Sequence, residues 1–485
     1  MFRTKIGGKK MLPSLEPAAA DSGASDGSLA EGLDFVALCY EFPPWLLAGA
    51  IWTEKLLIGL RDRGWRFEVI TAAPGGSLRG IPVHHVQNIG GPAWLSLLNR
   101  AKLSKLLEWV VWPDDAIYWN DSAVRFTRDL ILAKKPRMIV NFMMPYGAGM
   151  AGERLKAITG LPLVYCFSDS QSCTDMNPYF PSWFHYRRAR RLEDGYIRAA
   201  DAVVYVSRFN ADLVRSRQPL DQHEKFNVVR FGAEADEFAP VCGHCPDPDG
   251  PVRIVYLGGM GGWHKWYKRR PALSSLKRMF DAIGRYTVTP LDYRTQSPVF
   301  IGRAIQQVLA SRPDWQGKVF VDVYGGRCAT EEHIRKVLDV TGLDQIVRVH
   351  GMQSRSEVSR LARTADVLFH CVPNRTDNTP GGRIGAKTYE YLMTDRPILA
   401  AVPKGENWDY YAGKPGVWLV APDEVAAMAK AITEVCAAKI DRHQPLAFDR
   451  GAFRDDLSYA HRAEELAAVL HRIATFSGTP ATGPQ

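Results

Sequence analysis

Short apolar runs of five or six residues alternate along most of this chain with longer stretches whose apolar positions recur at helical spacing. Asp34–Tyr40 is such a run, closed by Glu41-Phe42-Pro43-Pro44. A helical pattern over Trp52–Arg63 stops at Gly64, and Arg66–Thr71 is again apolar, which predicts a βαβ unit near the start. Further strands are predicted at Arg137–Phe142, Leu163–Phe167, Ala202–Val206 and Asn227–Phe231, with helices over Tyr146–Thr159 and Trp183–Ala200. Uninterrupted apolar strands separated by helices imply a parallel sheet covered on both faces.

The rhythm breaks at Val241–Pro251, dense in Pro, Gly and Asp, and restarts with Arg253–Leu257. Strands then follow at Val319–Tyr324, Val347–His350, Asp366–Cys371, Pro397–Val402 and Val417–Val420. The helices between include Pro271–Ile283, Glu331–Val340, Arg355–Arg363 and Asp423–Ala438, and a last one covers about Arg454–Ile473. The predicted architecture is α/β: two doubly wound, Rossmann-like domains facing across a cleft. Residues 1–31 read as a disordered tail, 32–240 as the first domain, 241–251 as the linker, 252–445 as the second domain, and 446–485 as a C-terminal helix and tail. The stretch between Leu257 and Val319 is too long for one crossover, which places an insertion, read as loop, near Tyr286–Pro298.

Composition alters little. At 46% hydrophobic and 23% charged residues the 485-residue chain reads as a soluble globular protein, without a membrane-spanning run or an apolar leader. Cys39, Cys166 and Cys371 sit inside apolar runs as core residues, and eight cysteines in this length suggest a reducing, cytoplasmic compartment. Cys242-Gly243-His244-Cys245 lies in the linker and opens no helix after a strand, so it reads as exposed linker. The net charge of +9 permits a phosphorylated substrate, an anionic membrane or a nucleic acid. Two clusters carry part of it: Arg187, Arg188, Arg190 and Arg191 beside Trp183 and Tyr186, and Lys265, Trp266, Tyr267, Lys268, Arg269 and Arg270, with Lys277 and Arg278 on the helix that follows. Basic and aromatic side chains together suit the surface of an anionic bilayer, and also suit single-stranded nucleic acid or a plain solvated face.

Candidate chemistry collects after the strands of the second domain, on the edge where ligands of open α/β sheets bind. Gly258-Gly259-Met260-Gly261-Gly262 lets a phosphate approach the backbone, with Lys265 in reach. Tyr324-Gly325 and His350-Gly351 end the next strands and leave room for a planar base. Gly381-Gly382-Arg383-Ile384-Gly385 then opens a short helix carrying Lys387 and Glu390 on one face, followed by a strand at Arg396–Ala400. Free N–H groups at the helix start and Lys387 suit a diphosphate, and Glu390 can accept from sugar hydroxyls. In the first domain, Pro44 and Gly49 mark a candidate acceptor loop, and Asp169 follows a strand on the cleft edge.

With these residues in place, the chain resembles the retaining glycosyltransferases of family 4, which have the GT-B fold. The likeness runs from Leu33 to His471. It rests on Phe42-Pro43-Pro44 with Gly49, on the segments Ala200–Ser207 and Asn227–Glu234, on Ala365-Asp366-Val367-Leu368, and on Lys387–Leu392 with Arg396-Pro397-Ile398. The resemblance implies a nucleotide-diphosphate sugar as donor in the second domain and a glycan or lipid-linked acceptor in the first. It implies neither metal nor cofactor, and no nucleic acid. Asp169, Lys265 and Glu390 are the catalytic candidates. The donor contacts are Gly258, Gly259, Gly261, Lys265, Tyr324, Gly325, His350, Gly351, Arg383, Ile384, Lys387 and Glu390. The first acid of the family's pair falls on Gly382. The expected activity is sugar transfer with retention in surface polysaccharide or glycolipid synthesis, at the inner face of the membrane. A nucleotide-sugar epimerase of the same fold, or a non-catalytic sugar- or partner-binding module, are the alternatives.

Overall fold

The computed structural model describes residues 32–45, 47–100, 104–172, 175, 179–241, 246–260, 263, 267, 286–325 and 331–476. The linker Cys pair, Gly261, Lys265, most of the second basic cluster and the expected helix Pro271–Ile283 lie outside them.

Two parallel sheets form the frame. The first half contributes β1 (Phe35–Cys39), β2 (Phe67–Thr71), β3 (Val83–His85), β4 (Met138–Phe142), β5 (Leu163–Phe167), β6 (Tyr179–Phe180), β7 (Ala202–Tyr205) and β8 (Phe226–Val228). All but β6 join a seven-stranded sheet in the order β3-β2-β1-β4-β5-β7-β8. The second half contributes β9 (Val252–Leu257), β10 (Tyr286–Thr287), β11 (Leu291–Asp292), β12 (Val319–Tyr324), β13 (Val347–His350), β14 (Val367–Cys371), β15 (Asn374–Arg375), β16 (Ile398–Ala401) and β17 (Val417–Val420). Its sheet has six strands in the order β13-β12-β9-β14-β16-β17. In each sheet the order reverses beside its first strand, β1 or β9, which is where a doubly wound fold opens a ligand crevice.

The strands read as continuous apolar runs because helices cover both faces. Every residue of β1, β4, β5 and β14 is buried. Cys39, Cys166 and Cys371 are buried free thiols, as their apolar neighbours predict, and Cys436 is a fourth.

The stretch near Tyr286–Pro298 is not a plain loop. β10 pairs antiparallel with β6 of the first half, and β11 pairs with β15 of the second. Pro298, at the end of the expected loop, instead begins the helix Pro298–Ser311, capped by the Ser297 hydroxyl. Two-residue strands lack the alternation that a sequence pattern needs, which is why only a loop was legible there.

The chain then returns. Helix Tyr459–Phe476 packs on helix Ala48–Arg61 of the first half, with Ala463 against Gly59 and Arg63 Nη2 2.6 Å from Glu464. Trp65 and His471 place their rings 4.6 Å apart on the same seam.

Candidate active site

The C-terminal ends of β9, β12 and β13 come together through backbone. Gly258 N–H donates to the Tyr324 carbonyl, and Gly325 N–H donates to that of Gly351. Gly258 sits at φ +121° and Gly325 at φ +105°, a region that side-chain-bearing residues avoid. A Cβ on Gly325 would fall 2.9 Å from the Gly258 carbonyl, and one on Gly258 would fall 2.7 Å from Lys387 Nζ. Three of the expected donor loops thus meet beside the helix Ala386–Met393.

That helix starts at Gly385, whose position as N-cap brings no side-chain hydrogen bond to the first amides. Thr388 N–H donates to the Gly385 carbonyl at 3.0 Å, which leaves the N–H groups of Ala386 and Lys387, without a partner among the described residues, for an anion. Gly381 does not share that role. It pairs with Gly405, donating its N–H to the Lys404 carbonyl and accepting from Glu406 N–H. The amide donors expected around Gly381–Gly385 therefore begin after Gly381.

Lys387 is partly buried, and among the described residues no carboxylate lies within ion-pair distance of it. Burial lowers its pKa, Glu390 opposes this, and Arg383 adds to the lowering. Glu390, one turn on, is engaged differently: its Oε1 accepts from Arg355 Nη1 at 2.7 Å. Arg355 Nε donates to Glu237 at 2.7 Å, and Glu237 also binds Lys55 of the first half at 3.3 Å. Burial works against the Arg355 charge, yet Glu390 and Glu237 hold its pKa above the usual value.

The aromatic candidates are fixed by partners. His350 Nε2 is 2.8 Å from Asp322 Oδ1, and its ring stacks on Tyr324 at 4.2 Å. Asp322 also accepts from Arg253, which donates to the Tyr324 hydroxyl at 2.7 Å. The pair offers faces and edges more than free polar atoms. Ile384 sends its side chain into the hydrophobic core, so only its backbone can face a donor. Gly259 and Gly351 are open: among the described residues no atom lies within 4 Å of where a Cβ would stand.

From the first half, Asp169 comes near Arg383. Burial pushes the Asp169 carboxyl up to about 7, Arg383 pulls it back, and Asp175 pushes it further. Asp175 crosses to the second half, where its Oδ1 accepts from Arg375 Nη1 at 2.7 Å. Burial raises its pKa too, against the pull of Arg375. Gly49 faces Met144 and Ser168, and a pocket beside it is lined by Glu41, Trp52, Thr53 and Ser168. The buried Ser168 Oγ has no hydrogen-bond partner among the described residues. Pro44 is exposed on the preceding turn.

The halves also touch at Gly382. A Cβ there would stand 2.5 Å from Asn210 Oδ1 and 2.7 Å from Phe209 Cδ1. The position where the family's first acid falls takes a side chain only if Asn210 and Phe209 give way. Next to it, Glu406 accepts from the Ser207 hydroxyl at 2.5 Å, from Arg208 N–H at 3.0 Å and from Phe209 N–H at 2.9 Å. A carboxylate from one half thus caps the start of helix Arg208–Arg215 in the other.

Arg355, Asp175, Arg375, Ser168 and Glu406 were not singled out by the sequence. Arg355 acts on partners 118 and 35 residues away, and no local spacing marks it. Among the described residues no group of His, Cys, Asp and Glu is arranged to hold a metal ion, and no helix is long and apolar enough to cross a membrane.

Comparison with known proteins agrees with this geometry. Residues 50–232 match the model of the glycosyl transferase 4-like domain. Among solved structures, HepE from Anabaena in complex with UDP and glucose superposes with a TM-score of 0.55 at 14% identity, covering 91% of this chain and 100% of that one. The same protein is also solved with UDP-glucose. Trehalose 6-phosphate synthase from Burkholderia multivorans gives 0.55 at 13% identity, covering 92% and 100%. Sucrose-phosphate synthase from Thermosynechococcus elongatus gives 0.54 at 12%, covering 92% and 97%. A search of curated proteins returns no match. The two facing sheets are those of the GT-B fold.

Proposed function

We propose, from the premise that this GT-B chain is glycosyltransferase 4-like over residues 50–232, that it moves a hexosyl unit from a nucleoside-diphosphate sugar to a glycan or lipid-linked acceptor with retention. The observation that carries the proposal is the helix Ala386–Met393. It joins uncapped amides, a Lys387 that has no carboxylate partner among the described residues, and Glu390 on one short element beside the Gly258 and Gly325 turns. HepE, similar in fold, is solved with UDP-glucose, which makes a UDP-sugar the first donor to try.

Each group has a task set by charge. Cleavage of the sugar–phosphate bond leaves negative charge on the diphosphate, and Lys387 with the first helix amides stabilises it in a site largely shielded from water. Lys265, after the Gly258 turn, adds a second cation. Glu390 accepts from ribose hydroxyls with its Oε2. The stacked Tyr324–His350 pair and open Gly351 accommodate the base. Asp169, across the cleft near Arg383, orients the sugar or the incoming hydroxyl. The Ser168 pocket, beside Gly49, receives part of the acceptor. Same-face attack, in which the departing diphosphate takes the acceptor's proton, needs no enzymic nucleophile.

A lipid-linked acceptor, and work at the inner membrane face, find support on helix Trp183–Ala199. Trp183, Phe184, Arg187, Arg188 and Arg191 are exposed along one stripe, and Arg188 and Arg191 have no carboxylate partner among the described residues. Exposed Leu106, Trp109 and Val110 adjoin it, with Trp109 against His185. Aromatic tips beside unpaired guanidinium groups match an anionic bilayer.

Incubation with UDP-, GDP- and ADP-sugars, followed by assay of released nucleotide, tests the transferase. No turnover, and no thermal shift with any sugar nucleotide or free nucleotide, would sink it. A changed sugar without nucleotide release would mean an epimerase. Sedimentation with phosphatidylglycerol vesicles should fall when Arg187, Arg188 and Arg191 become Glu. Equal binding by that variant removes the membrane role.

A further inference from the structure

We infer that Arg355 is a positioning residue for the donor: by holding Glu390 it keeps that carboxylate from pairing with Lys387, so that the acid stays free for sugar hydroxyls and the cation for phosphate. The inference rests on the donor site proposed above and assigns the device that keeps its two charges apart.

Lys387 and Glu390 stand three apart on one helix face, the spacing at which opposite charges normally pair. They do not pair. Arg355, from the start of helix Arg355–Thr364, holds Glu390 Oε1 at 2.7 Å, while Oε2 has no hydrogen-bond partner among the described residues. The guanidinium cannot follow Glu390 elsewhere. Its Nε is tied to Glu237, its Cζ lies 4.8 Å from the centre of the Phe238 ring, and Glu237 is held in turn by Lys55. A planar fork clamped at one edge offers the other edge in one direction, which a lysine could not do. Lys387 is left with its Nζ 5.4 Å from the centre of the Tyr256 ring and, among the described residues, no acid within ion-pair distance.

Without Arg355, Lys387, one turn back on the same helix face and already under the influence of the Glu390 charge, is the cation placed to pair with it. Pairing would neutralise the diphosphate anchor and occupy the hydroxyl acceptor in one step. The same change would make Lys387 harder to deprotonate. The groups that face it are Glu390, Arg383 and Cys371, with Tyr256 beneath and His370 nearby. Of these, Glu390 is the one carboxylate, and it opposes the lowering of the Lys387 pKa.

The test measures UDP affinity by calorimetry on the full chain in a cycle of Arg355→Ala and Glu390→Gln. Arg355→Ala should weaken UDP roughly tenfold, and should cost less than twofold once Glu390 is Gln. Its alkaline loss of UDP affinity should move to higher pH than in the wild type, a shift that a merely structural role would not produce. Arg355→Lys takes its place in the cycle if Arg355→Ala fails to fold. Unchanged affinity, an equal cost in the Glu390→Gln background, or an unmoved alkaline limb would each overturn the inference. A wild type that binds no sugar nucleotide or nucleoside diphosphate would instead remove the donor site itself.

Discussion

Gly382→Ala is a one-carbon change that tests whether activity depends on the contact between the halves. The added Cβ would stand 2.5 Å from Asn210 Oδ1 and 2.7 Å from Phe209 Cδ1. Ordinary contact begins near 3.4 Å, so one side must retreat by roughly an ångström. Asn210 has little space to do so because it is buried, and the helix start that carries it and Phe209 is fixed, since the Asn210 backbone N–H donates to the Ser207 hydroxyl, which itself binds Glu406. The retreat therefore falls on the whole seam. Overpacking of this size costs about 1–3 kcal/mol, equivalent to roughly 5–150-fold against the touching arrangement. The expected outcome is a loss of that order in kcat/KM for donor hydrolysis, a larger radius of gyration by small-angle scattering, and UDP affinity changed by less than threefold. Truncating Phe209 and Asn210 to Ala should return most of the activity. Gly382→Glu, which writes in the family's acid, should lower activity further. If Gly382→Ala keeps wild-type kcat/KM and wild-type dimensions, the contact does not govern turnover and the argument fails.

Other outcomes follow from charge. Asp169 has its pKa raised by burial to about 7, well above an unfolded carboxyl near 3.9. The folded state holds its proton more tightly, so stability falls as pH rises between about 4 and 7 and stays lost above. Asp169→Asn should melt higher than wild type at pH 8 and equally at pH 4; a residual slope is expected from Asp114, also near 7. Glu406→Gln weakens three hydrogen bonds to a charged acceptor, each worth about 1.5–3 kcal/mol. It should speed proteolysis between the halves and lower the melting temperature, with UDP affinity within twofold of wild type.

The parallel sheets were legible because buried strands leave unbroken apolar runs, so β1, β4, β5, β7, β9 and β12 fall within a residue or so of expectation. β3 escaped notice: it is a three-residue edge strand with the sequence Val-His-His and no apolar run to announce it. β6, β10, β11 and β15 are two residues each and exist only through partners far along the chain. The helix carrying Lys387 and Glu390 stood out because glycines, a periodic pattern and a buried strand occur in sequence there. What the pattern could not give is who occupies whom. Glu390 looked free and is held by Arg355. Gly382 looked like a missing acid and is a point of close approach.

The return of helix Tyr459–Phe476 to the half where the chain begins has a practical meaning for domain exchange. The connection between halves is crossed twice, once before β9 and once before this helix. A chimera that grafts a relative's donor half onto this acceptor half must therefore be spliced at two junctions. Cut once near residue 250, it would set a foreign helix against Gly59, where Ala463 packs on the glycine with no space to spare. The stretch around residues 446–450, between the second sheet and helix Gly451–Leu457, is the natural second junction. A graft made there carries its own Ala463, Glu464 and His471 back to Gly59, Arg63 and Trp65.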